Sequence, residues 1–173
     1  MDPITFEIIR HRLFRITQEA IITLKHVTGS AITNEGHDLM VSLYRADGDL
    51  LLGGVGFLHH LIPATEAVRV IRRQFDGAIY QGDMFLTNCP YTAALHTSDV
   101  FMVTPIHYDG ELVAWSACFV HVYDIGAVNE GGFSPDATSV YMEGFSTPGI
   151  KLIERGEIQQ DVRDTLLNMV RVP

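Results

Sequence analysis

Two histidine–aspartate pairs share one spacing: His96 and Asp99 in "ALHTSDVFMVTP", then His121 and Asp124 in "ACFVHVYDIG". Each borders a run of β-branched and aromatic residues of the kind that forms a buried strand. Imidazole and carboxylate groups are costly to bury without partners, so four of them at strand ends need an explanation. Two chemistries supply one. A mixed nitrogen and oxygen set suits zinc, manganese or iron and leaves a position open for water or substrate. A network of His–Asp hydrogen bonds satisfies the same groups without an ion. Spacing alone leaves both open.

The segment between the pairs is what would bring them together. "DVFMVTPIHYDGELVAWSACFVHV" reads as a β-hairpin turning at Asp109–Gly110, a strong turn dipeptide. Strands joined by a tight turn lie with their outer ends side by side. His96, Asp99, His121 and Asp124 are therefore expected to converge at one end of the hairpin. His107, near the turn, falls at the other end and reads as a surface residue.

Other elements must support that hairpin. "DPITFEIIRHRLFRITQEAIITLKHV" opens with Asp2 as a candidate N-cap and Pro3 at the first helical position. Phe6, Ile9, Leu13, Ile16, Ala20 and Leu24 recur at the spacing of one helical face, with arginines and His11 on the solvated side. "DLMVSLYRADGDLLLGG" reads as a first hairpin about Ala46–Asp47–Gly48, and the stretch from Ala64 to Phe75 as a second helix. "GDMFLTN" reads as a short strand, Gly126 to Gly149 as loop, and "EIQQDVRDTLLNMV" as a closing helix. A helix followed by hairpins with intervening helices implies an α+β fold with a mainly antiparallel sheet. No strand–glycine loop–helix unit is present, so any ATP in the chemistry is expected on another chain. The glycines of "NEGGFSP" precede no clear helix and read as a flexible loop rather than a phosphate cradle.

Composition narrows the function classes. With 173 residues the chain is long enough for one domain with a real core. At 47% hydrophobic and 19% charged residues, it is no disordered segment. The net charge of −9 and the lack of a basic stripe argue against a nucleic-acid partner. No apolar run is long enough to span a membrane and the start lacks a signal-peptide h-region, so the expected location is cytoplasmic. Cys89 and Cys118 form neither a disulfide framework nor a zinc spacing. Cys89, just before Pro90, reads either as a catalytic thiol or as a small buried residue, and the latter is favoured. Ser98 lies in no nucleophile-elbow context, which sets a Ser–His–Asp hydrolase aside.

Five segments, "DPITFEIIRHRL", "NCPYTAALHTSDVFMVTPI", "FVHVYDIG", "EGFSTPGIKL" and "NMVRVP", occur in an order that resembles the N-terminal part of the hydantoinase B / 5-oxoprolinase family. That family includes the metal-bearing subunits of acetone and acetophenone carboxylases. The resemblance implies a hydantoinase A-type partner that binds ATP and phosphorylates an amide, lactam or enolate, with the B-type subunit carrying the second half-reaction. It also implies a divalent metal, zinc or manganese, held by His96, Asp99 and His121, the trio that the hairpin itself brings together. Asp124 is then a candidate fourth ligand, general base or acceptor that orients His121, with the orienting role favoured over ligation. His60, Asn88 and Glu143 are candidates for the substrate pocket. Turn capping for Asn88 and a loop-ordering salt bridge for Glu143 stand as alternatives, and His59 reads as structural.

The sequence departs from the family at Cys89 (usually Asp), Ala93–Ala94 (usually a glycine pair), Gly126–Ala127 (usually Gly-Gly) and Gly36–His37 (usually a basic pair). These changes surround the three ligands and bear on the substrate. Family members run to several hundred residues, so the chain is expected to be an N-terminal fragment or a subunit completed by another chain. The expected activity is ATP-dependent opening of a cyclic amide (hydantoin, 5-oxoproline or lactam type) within a hetero-oligomer. A ketone carboxylase subunit is the first alternative and a non-catalytic assembly subunit the second.

Overall fold

The computed structural model describes residues 2–54 and 58–172. Helix α1 (Pro3–Val27) starts where expected: the Asp2 carboxylate accepts the Ile4 and Thr5 N–H groups at 3.1 and 3.0 Å, and Pro3 occupies the first turn. Its apolar stripe is used only in part. Thr17 and Ile21 are buried against the sheet, with Ala20 and Leu24 packed beside Ile21, while Phe6, Ile9 and Ile16 are exposed.

Seven antiparallel strands form one sheet in the order β2-β1-β5-β4-β3-β6-β7. Their bounds are β1 Leu39–Arg45, β2 Leu50–Gly53, β3 Met84–Thr87, β4 Asp99–Tyr108, β5 Glu111–His121, β6 Ile150–Glu154 and β7 Glu157–Ile158. Both Asp-Gly hairpins occur as read: Gly48 and Gly110 take positive φ, and so does Asp109, as a tight turn between twisted strands requires. The fold is α+β with a mainly antiparallel sheet, as expected.

The period-two alternation of the strands divides the chain into two packed layers. On one face Met40, Tyr44, Phe101, Val103, Trp115, Ala117 and Phe119 pack against Ala64, Ala67, Val68 and Ile71 of α3 (Leu61–Gln74). On the other, Leu39 and Val41 pack with Ile21 of α1, joined by Cys118 and Val120. Gly54 permits the close approach of α1, because a Cβ there would stand 2.7 Å from the Val41 carbonyl oxygen and 2.9 Å from Ile21.

Sequence reading missed two elements. Helix α2 (Ala31–Gly36) is a single short turn capped by Ser30 and closed by His37 in the left-handed region, too short to show a periodicity. The β6–β7 hairpin turns at Arg155–Gly156, both at positive φ, and Arg-Gly lacks the Asn or Asp that signals such a turn. The closing helix is α4 (Gln160–Asn168). No helix among the described residues is long and apolar enough to cross a membrane.

Candidate metal centre

Register builds the site. Asp99 on β4 pairs directly with His121 on β5, and β1 pairs with β5 so that Leu39 faces Val120. One step further out, the backbone N–H of His121 donates to the carbonyl of Asp38 at 3.2 Å. Asp38, His121 and Asp99 thus form a row across three adjacent strand ends. In β4 and β5 the alternation puts Asp99 beyond Phe101 and His121 beyond Phe119, on the face that packs against α3. The row is the polar end of the main core's own stripe.

The side chains converge. The His121 Nδ1 atom lies 2.9 Å from Asp99 Oδ1 and 3.6 Å from Asp38 Oδ2. One ligand atom from each of the three residues falls within 4.8 Å of the others, with Asp99 and His121 buried. Ligand atoms at about 2.0–2.2 Å from one ion stand about 3.0–3.5 Å from each other, close to the 2.9 and 3.6 Å separations of His121 from the two carboxylates. The donor chemistry, one imidazole with two carboxylates, suits a borderline divalent ion such as zinc or manganese.

The electrostatics agree. Burial penalises the His121 imidazolium, yet the Asp99 carboxylate, the Gly132 carbonyl and Asp38 outweigh it and raise the pKa above the ordinary histidine value. Burial likewise raises Asp38, but His60 and then His121 more than compensate, leaving its carboxyl below the ordinary value. The groups hold negative charge in a place that favours a cation.

The sequence-derived residues fall into three positions. Asp99 and His121 are at the centre. His96 stands at the solvent side: its ring is exposed, 6.1 Å from that of His121, while its backbone N–H donates to Asp99 Oδ2 at 3.0 Å. Beside it is a cavity of about 120 Å³ lined by His96, Ser98, Phe133, Ser134 and Glu143. Glu143 thus borders the site, though its backbone carbonyl is taken by the Thr97 hydroxyl. His60 lies behind: buried at 2% exposure, it sets Nε2 3.2 Å from Asp38 Oδ1 and stacks its ring on Phe119 at 3.9 Å. It backs a carboxylate rather than facing a pocket.

Two expectations need correction. Asp124 does not orient His121; its carboxylate accepts the Gly126 N–H and the Arg171 guanidinium, 3.0 and 2.9 Å away, and the backbone N–H of Val172. The Val122 N–H still donates to the Ser98 carbonyl at 2.9 Å, but the strand ends at His121 and the chain beyond runs as loop, so the second pair's acid follows the loop and not the site. Asn88 is buried and spent on the backbone: Nδ2 donates to Thr97 and Phe145, and Oδ1 accepts from Thr147. It ties two loops together, the capping alternative that the sequence also offered. Sequence reasoning missed Asp38. Its signal was the period-two line Asp38, Met40, Ser42, Tyr44, which points one way once the "DLMVSLY" strand is accepted.

The comparisons with known proteins bear on the whole chain. A family model described as hydantoinase B/oxoprolinase matches residues 2–173. The chain is 33% identical over 171 residues to caprolactamase subunit beta of Pseudomonas jessenii, covering 99% of this chain and 29% of that protein. It is 31% identical to the acetophenone carboxylase delta subunit of Aromatoleum aromaticum, covering 94% of this chain and 24% of that one. The crystal structure of the ATP-dependent caprolactamase from Pseudomonas jessenii superposes with a TM-score of 0.90 at 33% identity, over 99% of this chain and 30% of the solved one. The chain therefore spans under a third of the length of these relatives. With its fold and its full length matched, the chain belongs to the hydantoinase B/oxoprolinase family.

Proposed function

We propose that the chain is the metal-bearing part of an ATP-dependent amidohydrolase that opens a cyclic amide of the hydantoin, 5-oxoproline or lactam type. An A-type partner subunit binds ATP and phosphorylates the amide, and the site on this chain handles the activated intermediate. The observation that carries this reading is the row Asp38, His121, Asp99, with the last two buried, in a chain 33% identical to a caprolactamase subunit.

Asp38, Asp99 and His121 would hold the ion, with His96 at its solvent side. When bound, a divalent ion supplies a Lewis acid that polarises a carbonyl or phosphoryl oxygen and lowers the pKa of water. The chain's own residues then do the rest. The strand pairing fixes Asp99 and His121 against each other, so the charge that binds the cation needs no rearrangement. The cavity beside His96 admits a substrate's reacting group, and Glu143 at its rim can take or return the proton of an attacking water. Phe133 covers His121, its ring 4.8 Å away, and keeps bulk water off that side.

Metal analysis of the wild type beside Asp99→Asn and His121→Ala tests the centre. The expected result is near-stoichiometric zinc or manganese in the wild type and loss of the ion in both variants, with unchanged circular dichroism. Reconstitution with an A-type partner then tests the reaction: ATP turnover should depend on a cyclic amide and release the ring-opened acid. ATP turnover that consumes bicarbonate in step with a ketone would replace the hydrolase with the carboxylase reading, which the acetophenone carboxylase relative keeps in view.

A further inference from the structure

Resting on that metal reading, we infer that His121 is a ligand through Nδ1 and that the Gly132–Phe133 segment, on the loop after β5, fixes it in that role. The His121 Nε2 atom lies 3.0 Å from the Gly132 carbonyl oxygen. A carbonyl only accepts, so Nε2 carries the proton whatever the charge of the ring. In the neutral ring the lone pair is then on Nδ1. It points at Asp99 Oδ1, 2.9 Å away, with Asp38 Oδ2 at 3.6 Å. Three lone-pair bearers face one another there, and only a cation between them, a proton or a metal ion, makes the contact favourable.

The Gly132 carbonyl is itself held in place. The Ser98 hydroxyl donates to it at 2.9 Å, and Ser98 adjoins Asp99 in sequence. Phe133 stacks on the imidazole at 4.8 Å with 29° between the ring planes, and stands edge-on to His96 at 6.4 Å. Position 132 admits only glycine: φ is +79°, and a Cβ would lie 2.8 Å from His121 Nε2 and 2.9 Å from the Val122 carbonyl oxygen. Backbone acceptor, serine clamp and aromatic cover form an outer shell that fixes the tautomer and plane of a metal ligand, the part such shells play at histidine-bound metals. Gly132, Ser98 and Phe133 are positioning residues; none touches the ion.

Zinc dissociation constants, read by chelator competition, and the visible spectrum of the cobalt-substituted protein test the inference in Gly132→Ala, Ser98→Ala and Phe133→Ala. Loss of outer-shell partners weakens metal binding about ten- to a hundred-fold, and Gly132→Ala should fall in that range with an altered cobalt spectrum. Ser98→Ala and Phe133→Ala should lose less, and Phe133→Leu should recover part of the loss. Thermal unfolding of the metal-free proteins identifies any variant that fails to fold, and Ser98→Ala, which removes only a hydroxyl, then carries the test. Affinity and spectrum within twofold of wild type in all three variants would overturn the inference. So would a zinc-loaded crystal structure with the ion on Nε2. A wild type that binds no metal sinks the functional reading with it, whereas metal in the wild type with unaltered variants sinks the inference alone.

Discussion

Among the described residues, two clusters of charged side chains reach into the interior, and they are built in opposite ways. Around β3 and β6, the fully buried Asp83 accepts the Arg155 and Tyr80 N–H groups at 2.8 and 2.9 Å and lies 3.0 Å from the Lys151 ammonium. Lys151 also donates to the Ala78 carbonyl and to Glu154, and its charge faces the Tyr80 ring. The chain supplies its own cation and uses every group. At the other cluster Asp38 and Asp99 flank His121 with no lysine or arginine among the described contacts. Asp38 Oδ1 meets only the His60 Nε2, 3.2 Å away, and the buried His60 Nδ1 has no hydrogen-bond partner among the described residues. A self-neutralised cluster is scaffold, because its partners saturate one another. The second cluster's only positive charge comes from imidazoles that can lose it, and that is the property the proposed metal site requires.

The contrast can be broken most directly at the acids. Asp83→Ala leaves Lys151 with the half-exposed Glu154 as its one acidic partner and strips the Tyr80 and Arg155 N–H groups of their acceptor, which costs about 3–5 kcal/mol of stability and should leave metal affinity unchanged. Asp99→Ala should cost the metal-free protein less, about 1.5–3 kcal/mol, because it removes the contacts to His121 and to the His96 N–H but strands no lysine or arginine. Denaturant unfolding of both metal-free variants measures the gap; equal losses would mean that the two clusters are the same kind of object.

The pH dependence sharpens the comparison with a smaller effect. The pKa of His121 is raised in the folded protein, so its charged form stabilises the metal-free state. That contribution is complete below the unfolded value, about 6.5, and is lost as pH rises through the folded one. A metal requires the neutral ring and has the opposite trend. The gain in Tm on adding zinc should therefore widen from about pH 5.5 to about pH 8, while Lys151, with its pKa raised, stays charged throughout. Parallel melting curves with and without zinc would remove His121 from the ligand set.

The smallest effect separates the two thiols. Burial pushes Cys118 up. At Cys89 burial acts the same way, but the Thr92 and Ser146 hydroxyls and the Tyr91 and Thr92 N–H groups outweigh it and lower the pKa. Cys89 should be alkylated first by iodoacetamide near neutral pH, several-fold faster than Cys118 by peptide mass spectrometry, since reaction follows the thiolate. Equal rates would show that those hydrogen bonds do not hold in solution.

Much of the fold is written locally. The Asp2–Pro3 cap, the two Asp-Gly turns, the alternation in "VFMVTPI" and "VAWSACFV" and the α3 periodicity each act within a few residues, so a single sequence exposes them. The same locality explains Asp99 and His121: a tight turn at Asp109–Gly110 sets the register of its two strands, and register sets which side chains meet. What escaped were elements too short to have a period, α2 and β6–β7, and a helix face whose burial depends on how much of the sheet lies beneath it.

The sequence by itself determined the hairpin, the antiparallel α+β class and the meeting of one histidine with one aspartate, because turn chemistry and alternation are short-range properties. Only the tertiary structure decided the third member. Asp38 reaches His121 through the β1–β5 pairing, which joins strands about eighty residues apart by hydrogen bonds that no local pattern encodes. It also decided against Asp124, which a repeated spacing recommended but which Arg171, far along the chain, claims instead. Residue type and spacing say what chemistry is available. The long-range strand order says which of those residues share a site.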